Sequence, residues 1–68
     1  MIYVNGKPTD PGSQRPTIRD VLSAAGIDPE TTGIAVAVDA EVARRAVWPT
    51  RTVPDGARVE IVTATQGG

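Results

Sequence analysis

The 68-residue chain contains no cysteine and no histidine, and only one lysine and one tyrosine. Without cysteine the fold has no disulfide and no thiolate ligand for zinc or an iron–sulfur cluster. Without histidine it lacks the usual general base near neutral pH and the commonest metal ligand. An enzyme made from this chain would have to work with carboxylates, hydroxyls and arginines. We therefore expect neither independent catalysis, nor a metal site, nor a bound cofactor.

The chain also lacks an excess of charge and any long apolar run. Seven basic and eight acidic residues give a formal net charge of −1, which provides no broad positive surface for nucleic acid or an anionic membrane. No apolar run approaches the roughly 20 residues that span a bilayer, and the first residues do not resemble a secretory signal. These features predict a cytoplasmic protein without nucleic-acid or membrane partners. The basic doublet Arg44-Arg45 is interpreted as a solvated surface pair.

The first third of the chain predicts a hairpin and a proline-rich loop. Ile2-Tyr3-Val4 is a β-branched and aromatic run that is typical of a strand. Asn5-Gly6 follows, and both residues tolerate the positive φ of a type I′ hairpin turn. Because Pro8 cannot donate a ladder hydrogen bond, the returning strand must be short or lie at an edge.

The clearest helical signal covers residues 17–25. Thr17 and Asp20 have the spacing of a capping box, and Gly26 is suited to the left-handed position that ends a helix, with Ile27 folding back onto the last turn. Apolar residues recur with the helical period at Ile18, Val21, Leu22 and Ala25.

The second half of the chain predicts three strands. Residues 34–38 alternate large and small apolar side chains, with Ile34, Val36 and Val38 toward the helix. Residues 41–43 form a short return strand after a turn at Asp39-Ala40. The turn sequence Val53-Pro54-Asp55-Gly56 then precedes a last strand over residues 58–63.

The last strand alternates between two faces. Val59 and Ile61 are predicted to point inward, which places Val62 on the outer face. Beside Ala35 and Ala37, Val62 forms a candidate partner-docking patch. Trp48, which precedes Pro49, is predicted to pack over the sheet edge as an outlying core residue.

These elements predict an α+β fold with one main helix across a mixed sheet of four or five strands. The β-grasp arrangement of ubiquitin-like proteins meets this description, with the first and last strands side by side in the middle of the sheet. We expect a β-grasp domain over residues 1–63 and a flexible tail over residues 64–68 that ends in Gly67-Gly68.

The tail carries the one reactive group that the sequence suggests, the C-terminal carboxylate of Gly68. Its pKa of about 3.5 leaves it ionised near neutrality, and in a partner's site it can attack the α-phosphorus of ATP to give an acyl adenylate. Five extended residues reach roughly 16–18 Å, and glycine at both final positions avoids Cβ clashes in a narrow site. The other tail residues, none of them bulky, are Ala64, Thr65 and Gln66.

The chain resembles the ThiS family of small sulfur-carrier proteins of thiamin biosynthesis. The most specific match is the segment DGARVEIVTATQGG, residues 55–68. Val4-Asn5-Gly6, Thr17-Ile18-Arg19-Asp20-Val21-Leu22, Ile34-Ala35-Val36-Ala37-Val38 and Trp48 match as well. Together these segments extend the resemblance over nearly the whole chain.

The resemblance implies a protein cosubstrate rather than an enzyme. In this family an E1-like adenylyltransferase uses ATP and magnesium to adenylate the terminal glycine, here Gly68. A sulfurtransferase or a cysteine desulfurase persulfide supplies sulfur to form a thiocarboxylate, and thiazole synthase takes that sulfur. The carrier itself binds neither ATP nor metal.

The chain departs from the family in its turns and loops, and two alternatives stay open. Family members often have Asn-Gly at Asp39-Ala40 and Pro-Arg near Ala43-Arg44, and the loop over residues 8–16 is longer and richer in proline than usual. One alternative is a carrier for molybdopterin, cysteine or tRNA thiolation; the molybdopterin type usually has a proline-rich stretch where this chain has residues 64–66. The other is a ubiquitin-like binding module whose terminal glycines are incidental.

Overall fold

A computed structural model describes residues 1–63 of the chain. Within this range the main helix and the five strands match the predicted order, and a short 3-10 helix that was not predicted follows the fourth strand. The predicted tail lies outside the described residues. The elements are β1 (Ile2–Val4), β2 (Lys7–Thr9), α1 (Ile18–Ala24), β3 (Ile34–Val38), β4 (Glu41–Ala43), a 3-10 helix (Arg45–Val47) and β5 (Arg58–Thr63).

The strands form one five-stranded mixed sheet in the order β2-β1-β5-β3-β4. β1 and β5 run parallel, whereas the three other neighbouring pairs are antiparallel. The first and last strands therefore lie side by side in the middle of the sheet. The prediction of a β-grasp fold is confirmed, and the proline-containing strand β2 lies at an edge as expected.

Two type I′ hairpin turns connect the outer strands to their neighbours. Asn5 and Gly6 have φ values of 51° and 83° between β1 and β2, and Asp39 and Ala40 have 49° and 69° between β3 and β4. Positive φ at both central residues is the signature of this turn type. Ala40 adopts it at a steric cost that glycine would avoid, because its Cβ crowds the following carbonyl.

The amino end of α1 has the predicted capping box. The Asp20 amide N–H donates to Thr17 Oγ1 over 3.2 Å, and the Thr17 N–H donates to Asp20 Oδ2 over 2.9 Å. Two N–H groups that the helix leaves without internal partners are thereby satisfied. The helix itself covers Ile18–Ala24, slightly less than the predicted 17–25, because Thr17 is the cap and not a helical residue.

The carboxyl end of α1 also closes as predicted. Gly26 has a φ of 80°, and the Ile27 N–H donates to the Leu22 carbonyl over 2.9 Å. This is the longer hydrogen bond of a Schellman motif. Ile27 is partly buried and packs against the core, so the chain leaves the helix along the inner layer.

The core lies between α1 and the inner face of the sheet. Ile18, Val21 and Leu22 of the helix are fully buried. They face buried side chains of the strands and of the segment that follows β4. The buried core residues outside the helix are Ile2, Val4, Val36, Val38, Ala43, Trp48, Val53, Ala57 and Val59.

Trp48 lies inside this core rather than over the sheet edge, which corrects its predicted position. Only 2% of it is exposed, and its indole Nε1 donates to the Ala43 carbonyl over 3.0 Å. A buried indole needs such a partner for its N–H. The 3-10 helix after β4 turns the chain back and brings the ring inside.

Arg45 is exposed, as expected for the basic doublet, but its guanidinium has specific contacts. Its central carbon lies 4.4 Å from the centroid of the Trp48 ring. The guanidinium also donates to the Pro29 carbonyl over 2.7 Å and to the Thr31 carbonyl. Arg45 therefore ties the loop before β3 to the buried indole, a role that the doublet alone did not indicate.

Candidate functional site

The candidate docking face is the side of the sheet that points away from the helix. In the β3–β5 register Ala35 lies opposite Val62, and Ala37 lies opposite Glu60. Val62 is 61% exposed, Ala35 is exposed, and Ala37 is half-buried. The structure thus brings together the three predicted patch residues, on two adjacent strands.

The structure adds Val42 and Tyr3 to this face. Val42 of β4 lies opposite Ala37 and is 72% exposed, and Tyr3 of β1 lies opposite Arg58 and is 41% exposed. Together with Met1 and Val62, they are the exposed large hydrophobic residues within residues 1–63. We call the set Tyr3, Ala35, Ala37, Val42 and Val62 the outer-face patch.

The sequence interpretation missed Val42 because strand β4 is only three residues long. Between Glu41 and Ala43 the period-2 signal is too short to assign a face. The pairing with β3 assigns it, since residues that lie opposite each other in an antiparallel pair point to the same face. The sequence did contain a signal for Val42. A two-residue turn after Val38 pairs Val38 with Glu41 and Ala37 with Val42, so Val42 must share the outward face of Ala37.

The outward side of β5 carries two charged side chains followed by an apolar one. Arg58 and Glu60 are exposed near its start and middle, and Val62 follows toward its end. An open concavity of about 610 Å³ lies beside them, and Tyr3, Arg58 and Glu60 contribute to its lining. A partner that covers this face must offer apolar groups to Val62 and Val42 and polar groups to the charged pair.

Asp55 lies in the turn before β5 and contacts the start of the chain. The Met1 ammonium hydrogen-bonds its carboxylate and lowers the pKa of Asp55, with a smaller contribution from the positive charge itself. The Gly56 N–H donates to the Met1 carbonyl over 2.8 Å. These contacts fasten the first strand to the turn that leads into the last one.

Other kinds of site find no support in the described part of the chain. Within residues 1–63 no group of three or more acidic, histidine or cysteine residues is arranged to hold a metal ion. None of the helices in that range is both long and apolar enough to cross a membrane.

The predicted reactive group and its tail, Gly68, Gly67, Gln66, Thr65 and Ala64, lie outside the described residues. The structure does describe the strand that leads to them. β5 has β1 on one flank and β3 on the other, and Thr63, its last residue, still pairs with Ile34. The chain therefore enters residues 64–68 from a central strand of the sheet.

Comparisons with known proteins agree with this architecture. The family model described as the ThiS family matches residues 2–68. Among solved structures, the chain is similar to the crystal structure of the thiamine biosynthesis protein ThiS from Geobacter metallireducens. The sequence identity is 31%, the match covers 98% of this chain and 97% of that one, and the TM-score is 0.79.

A second similar structure is the solution NMR structure of the same Geobacter metallireducens thiamine biosynthesis protein. It shares 32% identity over 98% of this chain and 86% of that one, with a TM-score of 0.71. A search of curated proteins gives no match. The family model covers almost the whole chain, including both final glycines, and confirms the resemblance seen in the sequence. The chain belongs to the ThiS family.

Proposed function

We propose that the protein is a sulfur carrier of thiamin biosynthesis and that the Gly68 carboxylate carries the sulfur. The observation on which this proposal rests is the family match, which extends over residues 2–68 and so includes the terminal glycines. The similarity to a thiamine biosynthesis protein, solved both by crystallography and by NMR, favours the thiamin pathway over other sulfur carriers. A cytoplasmic location is part of the same proposal.

The proposed chemistry takes place in the sites of partner enzymes. A carboxylate oxygen of Gly68 attacks the α-phosphorus of ATP, pyrophosphate leaves, and an acyl adenylate forms. The terminal sulfur of a persulfide then attacks the acyl carbon and displaces AMP. A thiol cleaves the new sulfur–sulfur bond and is itself oxidised to a disulfide, which leaves a thiocarboxylate. The protein acts here as a cosubstrate and not as an enzyme.

The proposed partners are an E1-like adenylyltransferase, a sulfurtransferase or cysteine desulfurase, and thiazole synthase. ATP and magnesium belong to the adenylyltransferase. The outer-face patch is the proposed docking surface, because its exposed Val42 and Val62 lie on strands that flank the small residues Ala35 and Ala37 of β3. Exposed apolar patches of this kind mark interaction sites in soluble proteins.

Intact-protein mass spectrometry tests the reaction directly. After incubation with the adenylyltransferase, ATP, magnesium and a persulfide donor, the protein should gain the mass of one oxygen-to-sulfur exchange. A chain without Gly68 is the matched control and should not change. Absence of the exchange in the wild type, or its persistence without Gly68, contradicts the proposal.

The pathway is tested by the acceptor of the sulfur. The thiocarboxylate protein should bind thiazole synthase and lose its sulfur when the thiazole substrates are added. The large subunit of molybdopterin synthase serves as the comparison partner. Sulfur transfer to that subunit and not to thiazole synthase would assign the carrier to the molybdopterin pathway.

A further inference from the structure

The two neighbours of β5 do not support it over the same length. On one flank, β3 pairs with β5 as far as Thr63, which lies opposite Ile34. On the other flank, the main chain of β1 pairs in register only as far as Val4, opposite Val59. The chain then turns away at Asn5, so no strand within residues 1–63 lies beside the final part of β5 on the β1 flank.

The Asn5 side chain takes the place of the missing strand. The N–H groups of Tyr3 and Asn5 donate to the carbonyls of Ala57 and Val59 over 3.0 and 2.9 Å. If β1 continued as a parallel neighbour of β5, the Ile61 N–H would donate to a main-chain carbonyl of β1. The Ile61 carbonyl would then accept from a main-chain N–H of the same strand. Instead the Ile61 N–H donates to Asn5 Oδ1 over 2.8 Å, and Asn5 Nδ2 donates to the Ile61 carbonyl over 3.2 Å.

Two demands meet at Asn5, and asparagine satisfies both. Its φ of 51° lies in the left-handed region that asparagine tolerates better than most residues. Its carboxamide also offers one acceptor and a donor in a single plane, as a peptide group does. Glycine would meet only the first demand. Aspartate would meet the first and supply the acceptor, but it would place a second oxygen against the Ile61 carbonyl.

We infer that Asn5 is a positioning residue for the reaction at Gly68 and acts through β5; this inference rests on the proposed function. Ile61 lies seven positions before Gly68. By holding Ile61 on the flank where β1 has ended, the carboxamide fixes the direction in which the chain enters the tail. A terminus delivered from a fixed strand end reaches the reacting position more often, and small misplacements of a reacting group cost large factors in rate.

Asp39 provides a matched control in the same molecule. It occupies the first position of the other type I′ turn, with a φ of 49°. Its Oδ1 accepts from the Arg58 N–H over 2.9 Å, which fastens the start of β5 instead of its end. Asn5→Gly and Asp39→Gly each keep a residue that tolerates positive φ, and each removes a side-chain contact to the main chain of β5.

The test measures kcat and KM for adenylation by an E1-like adenylyltransferase with ATP and magnesium. Asn5→Gly should lower kcat about tenfold with KM within about twofold, since none of the outer-face patch residues is replaced. Asp39→Gly should leave both constants near the wild-type values. Amide hydrogen exchange should accelerate at Ile61 in Asn5→Gly more than at Val59, which a general loss of stability would not produce.

An unchanged kcat in Asn5→Gly, or an equal fall in both variants, overturns the inference. If Asn5→Gly does not fold, Asn5→Asp replaces it, and kcat must fall while the melting temperature stays close to that of Asp39→Gly. A wild-type protein that is not adenylated at all contradicts the proposed function. Normal adenylation of the wild type with an unaffected Asn5 variant contradicts only the role of Asn5.

Discussion

The two faces of the central strand β5 use the same residue type for different purposes. Val59 points toward α1 and is 1% exposed, whereas Val62, three positions later on the opposite face, is 61% exposed. Burial makes Val59 a source of stability, because its apolar surface leaves water on folding. Val62 remains exposed, so its side chain is accessible to the partner that we propose. The two faces of one strand therefore differ in burial, and we propose that recognition uses the exposed one.

The first prediction compares Val59→Ala with Val62→Ala. Val59→Ala should destabilise the protein by about 2 kcal/mol, because two buried carbons are lost and a cavity is left. Val62→Ala should stay within about 0.5 kcal/mol of the wild type. Urea unfolding followed by circular dichroism measures both. Similar losses at the two positions would show that the outer face is also part of the core.

The second prediction concerns Val62→Asp and Val42→Asp. Each places a carboxylate in the outer-face patch, so the KM for the adenylyltransferase should rise by about tenfold, as for an interface residue that contributes about 1.4 kcal/mol. Val62→Ala, which adds no charge, should show a smaller rise. The circular dichroism spectrum should not change. A normal KM in both aspartate variants would place the docking surface elsewhere.

The third prediction tests the Asp39-Ala40 turn, which sets the register between β3 and β4. A slip of one residue between β3 and β4 would exchange their inner and outer side chains. Ala40→Gly should raise stability by less than about 1 kcal/mol, because relief of the left-handed strain exceeds the added chain entropy. Gly6→Ala in the other turn, where φ is 83°, should destabilise. Thermal unfolding of the two variants decides, and a destabilising Ala40→Gly would refute the strain at Ala40.

The fourth and smallest effect is expected at Asp55, which belongs to neither face. The Met1 ammonium lowers its pKa, so its stabilising contribution is present above the ordinary pKa of an aspartate and is lost as the pH falls through the lowered value. The melting temperature of Asp55→Asn should lie slightly below that of the wild type near neutral pH. The two should converge only when the pH has fallen below the lowered pKa of Asp55. A difference that persists in acid would contradict this assignment.

Most of the secondary structure could be predicted because its signals are local. Thr17 and Asp20 lie within one helical turn of each other and make the predicted capping-box bonds. Ile27, next to Gly26, donates its N–H to the nearby Leu22 carbonyl. The position of Trp48 and the burial of Val53 could not be predicted in this way. Val53 is held by a hydrogen bond from its N–H to the Pro16 carbonyl, a partner far away in the sequence.

The candidate site was predicted in part for the same reason. The alternation along residues 34–38 and 58–63 identified Ala35, Ala37 and Val62 as outward residues, and the pairing confirmed that they are neighbours. Val42 and Tyr3 were assigned to the same face only from the strand order and pairing in the structure. The roles of residues 64–68 and of the proposed partners stay predictions that the mass-spectrometric and kinetic experiments test.

The sequence by itself determined the main helix, the strands, the helix caps, the turns and the family, because each depends on residue types at short and fixed spacings. The tertiary structure decided which faces meet. It placed Val42 in the outer-face patch and the Arg45 guanidinium against the Trp48 ring. It also brought the Asn5 carboxamide to the main chain of Ile61, 56 positions away. Contacts over such separations depend on strand order and register, which are fixed only when the whole core packs.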